Sequence, residues 1–235
     1  RSTPSNSSAA SDVYKRQAIN LINQNNIPLV LVDREMPECQ TNFVRCDDYQ
    51  GGYIAGKHLL ELGHRHFLYL PGPKYNLSQT RRHAGIMDAL SEANVPASNI
   101  REIDYHTVFG STAESTSSYK PYEELFFPVN YTAVIGFNDL QSYSAMEILQ
   151  KKGYRIPEDI SLISFDHLRK THTYLPPLTS IADNSEKSIA DTAVSILLDK
   201  IRNPSSEISS KVLPVSIFDG HTTGPINETF AHSFE

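Results

Sequence analysis

Short apolar, β-branched runs alternate along the chain with longer amphipathic stretches. PLVLV at 28–32 and FVRC at 43–46 read as strands, each reaching a polar residue. Residues 48–62 read as a helix, capped by Asp47 or Asp48 and stopped at Gly63. A strand at 67–70 is broken by Pro71-Gly72-Pro73, and helix 78–93 follows. A weak strand at 100–105 and a Ser/Thr-rich helix at 112–126 come next. Then come strand 132–136, helix 139–152, strand 160–165, an extended segment at 176–181, helix 184–202 and strand 212–218. Helix 184–202 has the clearest apolar face, with Ile189, Ala193, Ile196, Leu197 and Ile201 in phase. The tail after Gly224 reads as frayed. Strands and helices alternating at this spacing predict βαβ units, an α/β fold and mostly parallel sheets.

Parallel sheets of this kind bind ligands at the carboxyl ends of their strands. The residues just past each predicted strand are therefore the first candidates: Asp33, the loop 71–78, Tyr105, Asn138-Asp139 and Asp166. Carboxylates accept hydrogen bonds from hydroxyls, an amide both donates and accepts, and the guanidinium of Arg82 donates in a fixed fork. An aromatic ring such as Tyr105 or Tyr75 suits the C–H face of a sugar. Any one of these acids or amides alone is as well explained as a helix cap or turn residue. Their convergence on several strand ends is what points to a polyhydroxylated ligand.

Composition narrows the classes. At 235 residues, 39% hydrophobic and 20% charged, the chain can bury a core, and it holds no apolar run of membrane-spanning length. A net charge of −6 lacks the clustered Lys and Arg that phosphate neutralisation needs, so the chain itself is not expected to bind DNA. Cys39 and Cys46 form neither a C-x-x-C pair nor a disulfide framework. Residues 1–17 are Ser-rich and without periodicity. They read as a non-native or disordered lead-in outside the fold, not as a secretory signal.

Six blocks carry a resemblance. DDYQGGYIAGKHLLELGHRH (47–66), PGP (71–73), RRHAGI (81–86), FNDLQSYSAM (137–146), IPEDISLISFD (156–166) and PPLTSI (176–181) occur in the order found in LacI/GalR regulators. The chain resembles the effector-binding core of that family from about residue 18 to 224. The resemblance implies a periplasmic-binding-protein-like fold of two Rossmann-like lobes. It assigns 18–46 and 182–205 to an incomplete N-terminal lobe, 47–181 and 206–224 to the C-terminal lobe, and 225–235 to a tail. It also implies a small-molecule effector (a sugar or sugar phosphate, with a purine as an alternative) bound by Asp33, Ser78, Arg82, Tyr105, Asn138 and Asp166. Arg81-Arg82 would suit an anionic group on it. Operator DNA would be reached only through an N-terminal head absent from this chain. A cytoplasmic homodimer is implied, with helix 139–152 and the region of Tyr174 at its interface, and no cofactor or membrane.

Three rivals are weaker on the residues. No G-x-S-x-G elbow, P-loop or G-x-G-x-x-G accompanies Asp166-His167, so an enzyme is not expected. His64 and His66 supply only two ligands for a metal. A periplasmic sugar-binding protein shares the fold, but block 47–66 favours the regulator.

Overall fold

The computed structural model describes residues 7–36, 38–73, 76–103, 122–168 and 176–232, and the chain divides into two compact units. The smaller comprises 1–47 and 183–215, the larger 48–182 and 216–235.

The smaller unit holds a three-stranded parallel sheet in the order β1-β2-β8, from Val30–Val32, Asn42–Cys46 and Ser210–Leu213. Helix α1 spans Ser7–Gln24, and helix α5 spans Ile189–Arg202. Val44, Ala193, Ile196 and Leu213 form the core between α5 and the sheet, with Val30 and Ile189 against it. The cap of α5 is Ser188, whose hydroxyl accepts from the Asp191 amide, so the helix starts later than the periodicity predicts. Ile201, placed by phase on the buried face, is 54% exposed, as are Val194 and Leu198 at 54% and 44%.

Two assignments from the sequence are corrected here. The stretch 7–17, expected to be a non-native or disordered lead-in, is helical as part of α1, and Arg16 in it pairs with Glu38. Segment 206–215, expected in the C-terminal lobe, supplies β8, which runs parallel to β2 from Phe43↔Ser210 to Cys46↔Leu213. The apolar alternation that predicts a strand at 212–218 is interrupted by Pro214, which lacks a ladder donor. The run therefore splits into β8 and a further strand, β9 (Val215–Phe218), in two different sheets.

The larger unit holds a six-stranded sheet in the order β4-β3-β5-β6-β7-β9. Its strands are Phe67–Leu70 (β3), Ile100–Glu102 (β4), Ala133–Gly136 (β5), Ser161–Phe165 (β6), Thr179–Asp183 (β7) and Val215–Phe218 (β9). The central β3, β5 and β6 are buried at every position, as expected for a parallel sheet covered on both faces. Helices α2 (Asp48–Glu61), α3 (Leu77–Glu92) and α4 (Asp139–Lys151) connect them. Helices α2 and α3 touch through their backbones. A Cβ on Gly52 would lie 2.0 Å from the Arg82 carbonyl oxygen, and one on Gly85 would lie 2.0 Å from that of Tyr49. Only glycine permits that approach, and it brings Asp48 within reach of Arg82.

The predicted helix 112–126 falls mostly outside the described residues, and its end is a 3₁₀ turn, Tyr122–Phe126. Among the described residues, the tail is not frayed. The Ile226 amide donates to the Leu62 carbonyl, and Phe230, on the short helical turn α6 (Glu228–Ala231), packs against the core. Among the described residues, no helix is long and apolar enough to cross a membrane.

His64 fastens the returning C-terminal segment to the sheet. It is 1% exposed, with Nδ1 2.9 Å from Thr132 Oγ1, and with Nε2 2.9 Å from Ser161 Oγ and 3.1 Å from the Gly224 carbonyl. Burial lowers its pKa to about 4. The unfolded chain therefore binds a proton at this residue before the folded chain does, and stability is lost as the pH falls from 6.5 towards 4. The loss attributable to His64 should approach roughly 3 kcal/mol, at 1.36 kcal/mol per unit. In denaturant titrations, the advantage of the wild type over His64→Gln should narrow across that window. A constant difference would contradict the assignment.

Candidate functional site

In the larger unit, the ends of β3, β5 and β6 bring three loops together. The first follows β3. Asn76 caps α3, its side-chain oxygen accepting from the Ser78 amide at 2.8 Å. Gln79 Oε1 accepts from the Gly72 amide at 2.7 Å and the Tyr69 hydroxyl at 2.9 Å, tying the P-G-P turn to the helix. The second loop follows β5. Asn138 caps α4 through its side-chain oxygen, which accepts from the Gln141 amide at 3.0 Å. Gln141 in turn accepts from the Phe137 amide at 3.1 Å and donates to the Pro71 carbonyl at 3.1 Å, which joins the two loops. The third loop follows β6 and contains Asp166 and His167, both at positive φ (92° and 48°). Non-glycine residues adopt that region rarely, and two in succession need external support.

Arg82 joins the three. It is 6% exposed, on the second turn of α3. Its Nε donates to Asp48 Oδ1 at 2.9 Å, Nη1 to the Phe137 carbonyl at 2.6 Å and Nη2 to Asp166 Oδ1 at 3.2 Å. The guanidinium carbon lies 5.0 Å from the centre of the Phe137 ring and 4.6 Å from that of Phe165, a double cation–π contact. The two carboxylates differ. The Asp48 side chain is 1% exposed, and its Oδ2 is buried without a hydrogen bond from any described residue. The Asp166 side chain is 40% exposed. Asp166 is thus the accessible member, and Arg82 holds it from within.

A further carboxylate lies beneath. Asp139, 1% exposed, accepts from the Leu168 amide at 2.7 Å and the Ser180 hydroxyl at 2.8 Å. Burial raises its pKa, against the opposing effect of those hydrogen bonds and of Ser164. His167 stacks on Phe218 with ring centres 4.4 Å apart.

Of the six site residues the sequence suggests, the structure gathers Arg82, Asn138 and Asp166 around one set of strand ends. Ser78, buried, sits one turn before Arg82 on α3. Asp33 belongs to the smaller unit, where it is exposed at φ 53° with its amide bonded to the Val44 carbonyl. Tyr105, like Tyr75, lies outside the described residues. Asp48 and Asp139, which the sequence reading names only as a helix cap and a strand-end candidate, are supporting residues here, as are Phe137 and Phe165, which it does not single out. Among the described residues, no group of three or more His, Cys, Asp or Glu is placed to hold a metal ion.

The periplasmic binding protein-like domain model matches residues 57–223. The chain belongs to that family. The HTH-type transcriptional repressor PurR of Escherichia coli is 34% identical over 189 residues, covering 79% of this chain and 53% of that protein. PurR of Mannheimia succiniciproducens is 31% identical over 176 residues, covering 74% and 51%. The chain thus spans about half the length of these relatives. A LacI family transcriptional regulator from Enterococcus faecium, solved with bound ribose, superposes with a TM-score of 0.74 at 27% identity, over 90% of this chain and 76% of that one. The fold is therefore that of LacI-family effector domains, as the sequence blocks imply.

Arg82 is buried against an acid that has no other ion-pair partner among the described residues. Its loss leaves that charge stranded, which costs about 3–5 kcal/mol in typical buried pairs. Arg82→Ala should therefore lower the unfolding free energy by about that amount, measured by denaturant titration. A change below about 1 kcal/mol would show that the clamp contributes little to folding.

Proposed function

We propose that this chain is the effector-sensing domain of a LacI-type transcriptional regulator and that Arg82, Asn138, Asp166 and Ser78 form an effector site in the larger unit. The observation that carries the reading is the exposed Asp166 carboxylate, held at a strained strand-end turn by a buried arginine. Strain of this kind persists where surrounding structure enforces it, commonly at ligand sites. The relatives are repressors and regulators, which supports sensing over transport and over catalysis. Operator contact would belong to a helix-turn-helix head outside this chain, in a cytoplasmic protein. The chain's own charge of −6 argues against phosphate affinity of its own. A homodimer through α4 is part of the same reading. Leu140 on that helix is 65% exposed, and Tyr143, Met146 and Pro176 line a surface groove.

The charge balance selects among effectors. Arg82 already serves two carboxylates and a carbonyl, so it does not offer an open anion site as Arg81-Arg82 suggested from sequence. What faces outward is an acceptor, suited to sugar hydroxyls. A neutral effector is favoured over a sugar phosphate, and between a sugar and a purine, whose N–H groups would suit the same acceptor, a ribose-bound relative supports the sugar.

Calorimetric titration checks it. D-Ribose should bind more tightly than D-ribose 5-phosphate or hypoxanthine, and Asp166→Asn should weaken it by about 1.5–3 kcal/mol, roughly ten- to a hundredfold. Binding of the phosphate alone, or an unaffected Asp166→Asn variant, would overturn the assignment.

A further inference from the structure

We infer that Asp139 is a positioning residue for the effector contact: buried beneath the site, it holds the Asp166–His167 turn in the conformation that presents the Asp166 carboxylate. This rests on the reading of Asp166 as an effector contact. The geometry is a closed chain of bonds. Asp166 and His167 occupy positive φ, and their preceding strand is held by the Asp166 amide donating to the Ile181 carbonyl at 2.9 Å. The next two amides leave the sheet ladder and need other acceptors. His167 N–H donates to Ser180 Oγ at 2.9 Å, and Leu168 N–H donates to Asp139 Oδ2 at 2.7 Å. The Ser180 hydroxyl in turn donates to Asp139 Oδ1 at 2.8 Å. Both oxygens of one carboxylate therefore terminate the two amides that follow Asp166, one directly and one through a serine.

Asp139 is well placed to be rigid. It is the first residue of α4, directly after the cap Asn138, and is 1% exposed. Beside it, Ser142 Oγ on the same helix donates to Ser164 Oγ on β6 at 2.8 Å, which fixes the helix start against the strand carrying Asp166. Without the carboxylate, the Leu168 amide would be left without its acceptor in a part-buried position. The unsupported turn would then relax out of positive φ. Asp166 would turn away from Arg82 Nη2, to which it is bound at 3.2 Å. Asp139 thus acts on the effector through Asp166 and does not touch it.

Two measurements on the full chain test this. In the ligand-free protein, amide hydrogen exchange at His167 and Leu168 should accelerate about tenfold or more in Asp139→Ala, as expected for loss of one hydrogen bond. Ser180→Ala, which leaves α4 and its acid intact, should accelerate His167 alone, and it serves if Asp139→Ala fails to fold. Unchanged exchange at these amides in the folded variants would overturn the proposal, whatever binds. The second is a double-mutant cycle read by D-ribose titration. Asp139→Asn should weaken binding about tenfold in the wild type and by less than about twofold in the Asp166→Asn background. An equal loss in both backgrounds would mean that Asp139 acts on stability in general and not through Asp166, and would overturn the positioning role. Wild type that binds none of D-ribose, D-ribose 5-phosphate and hypoxanthine would count against the effector reading, and the exchange data alone would then decide whether Asp139 holds the turn.

Discussion

The larger unit is organised around one buried cation. Arg82 reaches from α3 to the start of α2, to the end of β5 and to the end of β6, and its guanidinium lies between two phenylalanine rings. Burying a guanidinium is costly unless its donors are satisfied and an opposite charge is near. Here the solution is asymmetric. Asp48, almost fully buried, neutralises the charge, while Asp166 remains accessible and takes its orientation from the same group. The close approaches of Gly52 to the Arg82 backbone and of Gly85 to the Tyr49 backbone belong to this arrangement, because any side chain there would separate the helices that bring Asp48 and Arg82 together. A buried ion pair of this sort is weak evidence for stability but imposes geometry, since each donor direction is fixed by the planar fork.

Much of this was legible in the sequence, and the reasons are specific. Asn138 and Asp166 stand just beyond strand ends and Arg82 on the helix that follows β3, and the apolar runs that mark β3, β5 and β6 are fully buried, so their ends are easy to locate. Asp48 and Asp139 were not recognisable as supports. An acid at the start of a helix serves as a cap in most contexts, and nothing in D-D-Y or F-N-D distinguishes an exposed cap from a buried counterion. Segment 206–215 was misplaced because a strand's pattern of alternation does not say which sheet it joins. Pro214 was the available sign of the break. Helix α1 has no counterpart in the sequence reading over any of its length, because 7–17 lacks an apolar stripe and 18–24 is too short to show one.

The two units are built differently. The larger has a continuous core under a six-stranded sheet, and even its C-terminal return is fastened by His64 and Ile226. The smaller has a core of a few residues and leaves Val32, Val194, Leu198, Ile201 and Val212 about half exposed. The described site residues other than Asp33 lie in the unit with the stronger framework. Pre-organisation follows from that placement, because rotamers locked by packing and hydrogen bonds keep an acceptor aimed without further ordering on binding.

The central claim is that the Arg82 cluster is where an effector is sensed. The Nε–H of a buried, ion-paired arginine gives a distinct nitrogen–proton resonance, and following it during titration with D-ribose tests the claim most directly. The account predicts that the Arg82 Nε–H signal and the amides of Asn138, Asp166 and His167 shift together and saturate at one dissociation constant. Saturable shifts confined to other parts of the chain, with the Arg82 signal unmoved, would contradict it.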